Sequence, residues 1–505
     1  MGASEMTVDR SGPAAAGGSA ALTRTWLILV IASFASFLGG FNQSTINVAL
    51  PVMSEDLGSG STANGWILLA YPVGLAGLIL VFGRLADMVG RRRVFLSGMA
   101  VFLIASVVAA LAGDPAMMIV GRLGQGAGGA MIFSTGAAMI AAAYPRARLG
   151  AAIGIYFAVN AVAQILGPVL GGVITVGIGW QWLFWINIPV IAMAYAAAMR
   201  VLPRESRAVR GQRLDWAGGA LSIAVVASAV SGLSMGNERG WADPLILLLA
   251  VTAVLSLSAF VWWELRAQSP LLDLSLFSNR VFLWANISSF LICAVRFPLV
   301  LLIALMFQTL HSMGPAMAGV LVVPLSVGAM VASSVYGIFE RWFSHYALGV
   351  ASSLLTVVGV LLFLPAVSGS AFIPFAVAGG FVVGVGTGVL VTANGSAIML
   401  SSPPEKLGVV SGARSLMQML GNVVGVAGCL VVVAIPLPVG DRDAVYGRGG
   451  GDGLDPAAAE SLASGFQLVY IVLAVVALAG AAASAAARDR RHAPAQGELA
   501  AAEMR

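Results

Sequence analysis

Runs of about 20 apolar residues recur along the whole of this 505-residue chain, broken by short stretches of Pro, Gly and charge. A helix of that length spans the ~30 Å hydrocarbon core of a bilayer with its backbone N–H and C=O groups paired internally, the condition any spanning segment must meet. Fourteen such segments begin near residues 26, 63, 94, 116, 151, 183, 215, 244, 281, 315, 346, 372, 407 and 467. Only 10% of the residues are charged and 59% are hydrophobic, whereas a soluble domain carries roughly 25% charge. So few charges cannot clothe a water-exposed surface of this size, and the expected fold class is an all-α integral membrane protein.

The first 25 residues lack the short apolar core and small-residue cleavage site of a removable leader. Cys293 and Cys429 fall inside apolar runs, where a thiol packs as a small hydrophobe, so neither a disulfide nor redox chemistry is expected. The net charge of +5 is dispersed over short loops, which argues against a nucleic-acid partner. No metal site and no cofactor is expected.

An even number of spans returns both termini to one side. If that side is the cytoplasm, then of 27 Lys and Arg only Arg239, Arg442 and Arg448 fall outside, and only Arg122, Arg296 and Arg414 fall within spans. This agrees with the positive-inside tendency and implies a multi-pass protein of the cell membrane with two cytoplasmic tails, 1–25 and 489–505. Trp180, Trp182 and Trp185 then cluster at the outer boundary and Trp262 and Trp263 at the inner one, as aromatic belts require. The longest loop, 436–466, carries YGRGGGDGLDPAAAE and is expected to be an extracellular connector or lid.

After the second span comes GRLADMVGRRRVF, residues 83–95. Gly83 and Gly90 permit a tight turn, Asp87 can face a helix N-terminus or a neighbouring arginine, and Arg91, Arg92 and Arg93 hold the loop at the inner surface. The stretch resembles the signature loop between the second and third helices of the major facilitator superfamily. MIVGRLGQGAGGA (118–130) is similar to that superfamily's intramembrane Arg-x-x-Gln-Gly pattern, and AVAQILGPVLGGV (161–173), with Gly167, Pro168, Gly171 and Gly172, resembles its exporters' Gly-Pro-x-x-Gly-Gly element. Fourteen spans together with STINVALPVMSEDLG (44–58) most resemble the fourteen-helix drug:proton antiporter family. The resemblance weakens after residue 280, and YGIFERWFSHYA (336–347) stands as a degraded second copy of the signature turn. It implies two six-helix bundles, at 26–202 and 281–488, with a linker and two extra helices at 203–280 between them. It also implies alternating access around a midplane site, with the glycines, Pro168, Asp87, Arg91 and Arg92 as conformational elements.

FNQSTINVALP, residues 41–51, carries the chemistry that sets this chain apart. In the family pattern an aspartate usually stands where this chain has Asn42. A carboxyl shielded from water can carry a proton, and an amide cannot. The other acids and the three histidines, His311, His345 and His492, fall at or beyond the predicted span boundaries. The ionisable groups left inside the spans are therefore Arg122, Arg296 and Arg414, each costing about 2.5–3.5 kcal/mol at mid-depth unless it faces water or a partner. Arg414, Gln418 and Asn422 repeat at every fourth residue, as do Asn160 and Gln164, and Gln43 and Asn47, which draws polar stripes on three helices. With Asn42, Thr45 and Gln125 these residues form the expected substrate cavity. Such stripes can also serve as interhelical glue.

A net-positive cavity favours anionic amphipathic solutes. The function expected is alternating-access export of a hydrophobic or amphipathic small molecule, a drug or a metabolite, by a monomer in the lipid bilayer. The missing carboxylate leaves the role of protons open. An uncoupled facilitator or anion-selective carrier is the nearest rival, and a non-transporting sensor on the same fold is a reading of another class. An enzyme is not expected, because catalysis needs convergent nucleophiles, acids or metal ligands.

Overall fold

The computed structural model describes residues 14–203, 214–240, 243–267, 270–313, 315–368, 372–436 and 456–487, and every regular element among them is helical. The first bundle contains α1 (Ala14–Asp56), α2 (Ser61–Val89), α3 (Arg91–Ala110), α4 (Pro115–Ala143) and α5 (Arg146–Gly177), then a broken sixth span, α6 (Trp182–Trp185) and α7 (Asn187–Val201). Two further helices follow, α8 (Trp216–Arg239) and α9 (Pro244–Glu264). The second bundle contains α10 (Arg280–Thr309), α11 (Pro315–Phe339), α12 (His345–Leu361) with the short α13 (Leu364–Ser368), α14 (Phe372–Leu400), α15 (Leu407–Ala434) and α16 (Pro456–Ala486). Thirteen spans among the described residues are long and apolar enough to cross a membrane. The 32-residue α5 runs beside them as a fourteenth.

Local chemistry starts these helices where the sequence indicates. Asp114 accepts from the Met117 N–H with Pro115 opening α4, Asp243 accepts from Leu245 N–H with Pro244 opening α9, and Asn279 accepts from Val281 N–H at the head of α10. Each side-chain oxygen satisfies one N–H that the first helical turn leaves without a partner. Gly90 joins α2 to α3 at φ 105°, a conformation that disfavours any side chain, as the signature turn requires.

Three expectations need correction. The last helix begins at Pro456, inside the stretch read as the long loop, because Pro suits a first helical position and the following Ala residues are strong helix formers. Likewise α1 begins at Ala14, ahead of the run at Trp26. Trp180 is not an interfacial belt residue: it is buried, and its Nε1 donates to Asp56 Oδ2 at 2.8 Å, which ties α1 to the turn before α6. Trp182, Trp262 and Trp263 are exposed, as a belt requires.

Helix α8 lies on α2, where Ile223 packs against Gly77. The outermost helix is α9, which turns Leu247, Leu248, Val251, Val254 and Leu255 outward, each more than half exposed. On a spanning helix such a face meets lipid. The end of the molecule bearing Arg91, Arg92 and Arg93 is termed the basic end below, and the opposite one the far end.

Candidate functional site

Arg122 and Arg414 are among the largest fully covered side chains, and they lie in different places. Arg122 sits within the first bundle, about two turns from the far end of α4. Its Nη1 donates to Asn42 Oδ1 and to Gln125 Oε1 (3.0 Å), and its Cζ stands 4.8 Å from the centre of the Tyr71 ring. Gln125 Nε2 passes the chain on to Ser106 Oγ at 3.0 Å. This network joins α1, α2, α3 and α4, and its one full charge is guanidinium. The structure thus places Asn42 and Gln125, 2% and 0% exposed, against Arg122 rather than in open space.

The rest of the first polar stretch is packed into the α1–α5 contact. Thr45 Oγ1 turns back to Asn42 O, and Ser44 Oγ to Gly40 O (3.0 Å). The exporter-like element lies directly opposite. A Cβ at Gly167 would collide with Ser44 Oγ, one at Gly171 would stand 3.2 Å from Thr45 Cα, and one at Gly172 would stand 3.5 Å from Val48. The small residues therefore let α5 close onto α1. Asn160 Nδ2 donates to Ser36 O (3.0 Å), and Gln164 Nε2 to Asn160 Oδ1 (2.8 Å), so this stripe links helices as well as being partly exposed. Gln43 is partly exposed, whereas the side chains of Asn47 and Pro168 lie outside the described residues.

Arg414 stands at the seam between the bundles, about two turns from the basic end of α15. Its Cζ is 4.3 Å from the centre of the Phe157 ring on α5, across the seam. A Cβ at Gly395 of α14 would stand 3.5 Å from that Cζ and 3.2 Å from the ring, so glycine there leaves room for the guanidinium. Arg414 is 2% exposed, and its Nε and Nη2 find no hydrogen-bond partner among the described residues. A cation–π contact supplies about 0.5–2 kcal/mol, less than the cost of an unsatisfied buried charge. Arg296, near mid-depth on α10, is partly exposed and makes no hydrogen bond to a described residue. Both arginines lie within electrostatic reach of Cys293 and so belong to one region. Gln418 and Asn422, the next steps of the Arg414 stripe, are partly exposed. Among the described residues the carboxylates stand at or near helix ends, none of them at mid-depth.

The bundles close on one another at the basic end. Asp87 Oδ1 and Oδ2 accept from Gly408 N–H and Val409 N–H, both at 2.9 Å, and Arg91 Nη2 approaches Oδ1 at 3.5 Å. A first-bundle carboxylate thereby caps the first turn of α15 in the second bundle, where the helix dipole favours negative charge. Beside it the backbones nearly touch: a Cβ at Gly83 would stand 2.7 Å from Gly408 O, and one at Gly412 2.9 Å from Ile79 O. Arg92 Nη2 donates to Met199 O (2.8 Å), tying α3 to α7. Toward the far end, Gly421 and Gly425 of α15 pack instead against Phe290 and Ala294 of their own bundle.

Sequence reasoning missed Tyr71 and Ser106 around Arg122, and Phe157 and Gly395 around Arg414. None carries a motif of its own, and only their position opposite a buried arginine gives them a role.

Comparison with known proteins adds the following. The family model described as Major Facilitator Superfamily matches residues 32–426. The puromycin resistance protein pur8 of Streptomyces alboniger is 34% identical over 316 residues, covering 62% of this chain and 62% of that protein. The cephamycin export protein CmcT of Amycolatopsis lactamdurans is 31% identical over 408 residues, covering 80% and 84% respectively. The multidrug resistance protein Stp of Mycobacterium tuberculosis is 28% identical over 411 residues, covering 80% and 75%. Among solved structures, the human organic anion transporter MFSD10 (TETRAN) superposes with a TM-score of 0.63 at 16% identity, over 91% of this chain and 99% of that one. The proton:xylose symporter XylE superposes with a TM-score of 0.58 at 13% identity, over 90% and 95%. At these identities the structural likeness is one of fold alone.

Proposed function

The chain belongs to the major facilitator superfamily, in its drug-exporter branch, and from that premise we propose that it exports an anionic amphipathic small molecule through a site built on Arg414 and Arg296. In this reading the basic end faces the cytoplasm, together with both termini, and the closed seam there corresponds to a state closed to the cytoplasm. The first bundle corresponds to 26–202, the second to 281–488, and 203–280 links them. The protein works as a monomer.

One observation carries the choice of an anion. Among the described residues, Arg414 is buried at the seam with two nitrogens that find no hydrogen-bond partner, and no carboxylate lies at its depth. A carboxylate, sulfonate or phosphate on the substrate supplies the missing acceptor. Gln418, Asn422, Gln43 and the exposed edges of Asn160 and Gln164 offer uncharged hydrogen bonds along the same path. Asn42, Arg122 and Gln125 hold α1 on α4, Thr45 packs against Gly171 of α5, and none of them contacts substrate in this state.

The lack of a mid-depth carboxylate among the described residues also supports an uncoupled carrier as the second reading. Flux through purified protein in liposomes that ignores an imposed pH gradient would select it. Substrate class is tested by thermal stabilisation of the purified protein with size-matched amphiphiles, since a ligand that binds the folded state raises its melting temperature by mass action. Anionic members are expected to stabilise, and Arg414→Gln to abolish their advantage. Stabilisation by cations alone refutes the proposal.

A further inference from the structure

The degraded signature turn of the second bundle is not idle. Glu340, the residue after α11, lays its carboxylate over Gly150 in the second turn of α5, so close that any Cβ at Gly150 would collide with it. The same contact is tightened by Gly154 against Ser333 O and by Gly337 against Ala151. On the other side His345 Nε2 stands 3.7 Å from Glu340 Oε1, and His345 Nδ1 is 2.7 Å from Tyr336 Oη. This arrangement parallels Asp87 on α15: in each case an acid from the basic end of one bundle closes on the first turns of a helix in the other. The two closures differ in one respect. Asp87 has two backbone N–H donors, whereas no backbone N–H donates to Glu340 among the described residues.

We propose that Glu340 is the group through which protons act on this transporter, closing the basic end when protonated and loosening it when charged. The inference rests on the exporter reading only for its use, because the conformational change can be measured without substrate. Burial in the closed seam pushes the Glu340 carboxyl up from its ordinary 4.5 to about 7. The other titratable groups near it are Tyr336 on its own helix, His345 on α12, Arg341 in the connecting turn and Arg148 on α5; the side chain of Arg146 lies outside the described residues. Arg341 and Arg148 are exposed. Once the seam opens, water restores the ordinary carboxyl value. The closed state therefore holds the proton more tightly, so closure strengthens as pH falls from about 7 toward 4.5 and weakens above 7. No carboxylate inside the spans is needed for protons to bias the cycle.

The test places spin labels at the exposed basic-end positions Arg93 and Glu405, each replaced by Cys in the full-length protein, in lipid nanodiscs; native Cys293 and Cys429 are buried. Wild type is expected to show the closed-to-open ratio rising about tenfold or more from pH 8 to pH 5.5. Glu340→Gln, a permanent mimic of the protonated acid, is expected to stay closed throughout. Gly150→Ala, which pushes the carboxylate outward, is expected to move the midpoint to lower pH. A Glu340→Gln protein that keeps the wild-type pH response overturns the proposal, as does a response abolished by His345→Ala and not by Glu340→Gln. If the pH response is found and no solute is ever transported, the exporter reading fails and this inference stands.

Discussion

Asn42 shows how much one atom changes. Its Oδ1 accepts from Arg122, and the bond leaves the guanidinium charge of that network without a counterion among the described residues. Asn42→Asp would place a carboxylate in the same position and is expected to stabilise the fold by about 1–3 kcal/mol at neutral pH, read as a higher unfolding midpoint. A lowered midpoint would mean that Arg122 is already compensated. The chemical identity of this residue was legible in the sequence, as were the three arginines inside apolar runs, and among the described residues no carboxylate lies at mid-depth to serve them. Its partner was not. A 3.6-residue period tells which residues share a helix face, but nothing local connects Asn42 to a side chain 80 residues away. For the same reason a polar stripe that looked like cavity lining proved in part to be the α1–α5 interface.

At the scale of helices, legibility was better. Apolar length read against Pro, Gly and charge breaks located most spans within a few residues, since that signal lies within a single segment. It failed at the heads of α1 and α16, which begin at Ala14 and Pro456, ahead of the expected starts near 26 and 467. The signature turn was readable as a turn, and its Asp87 as a carboxylate that can face a helix N-terminus or a neighbouring arginine. That the helix would be α15, from the other bundle, depends on how the bundles dock. Removing this contact by Asp87→Ala leaves the N–H groups of Gly408 and Val409 without their acceptors. The loss, about 1–4 kcal/mol from two caps, is expected to shift the population toward an open basic end. Gly408→Ala is expected to act in the same direction, because its Cβ would stand 2.5 Å from Gly83 O. Cysteine labelling along the basic half of α15 checks both, and labelling as slow as in wild type would show that closure does not depend on this contact.

On the whole-molecule scale, two six-helix bundles meet closely at the basic end, while α15 returns to its own bundle toward the far end. Alternating access is then a matter of exchanging one set of seam contacts for another, and each contact contributes only a few kcal/mol, the size of bias that a ligand or a proton supplies. Arg414 lies within that seam. Under the proposed function, an anion bound there would satisfy the guanidinium and share the energy that holds the bundles together, coupling substrate charge to conformational change at one residue. The most direct measurement of that claim is flux through proteoliposomes of two fluorescent amphiphiles matched in size and opposite in charge, with wild type beside Arg414→Gln. Wild type is predicted to move the anion faster, and Arg414→Gln to reduce that preference by about tenfold or more, equivalent to ~1.4 kcal/mol. Faster movement of the cation, or a preference that Arg414→Gln leaves unchanged, would contradict it.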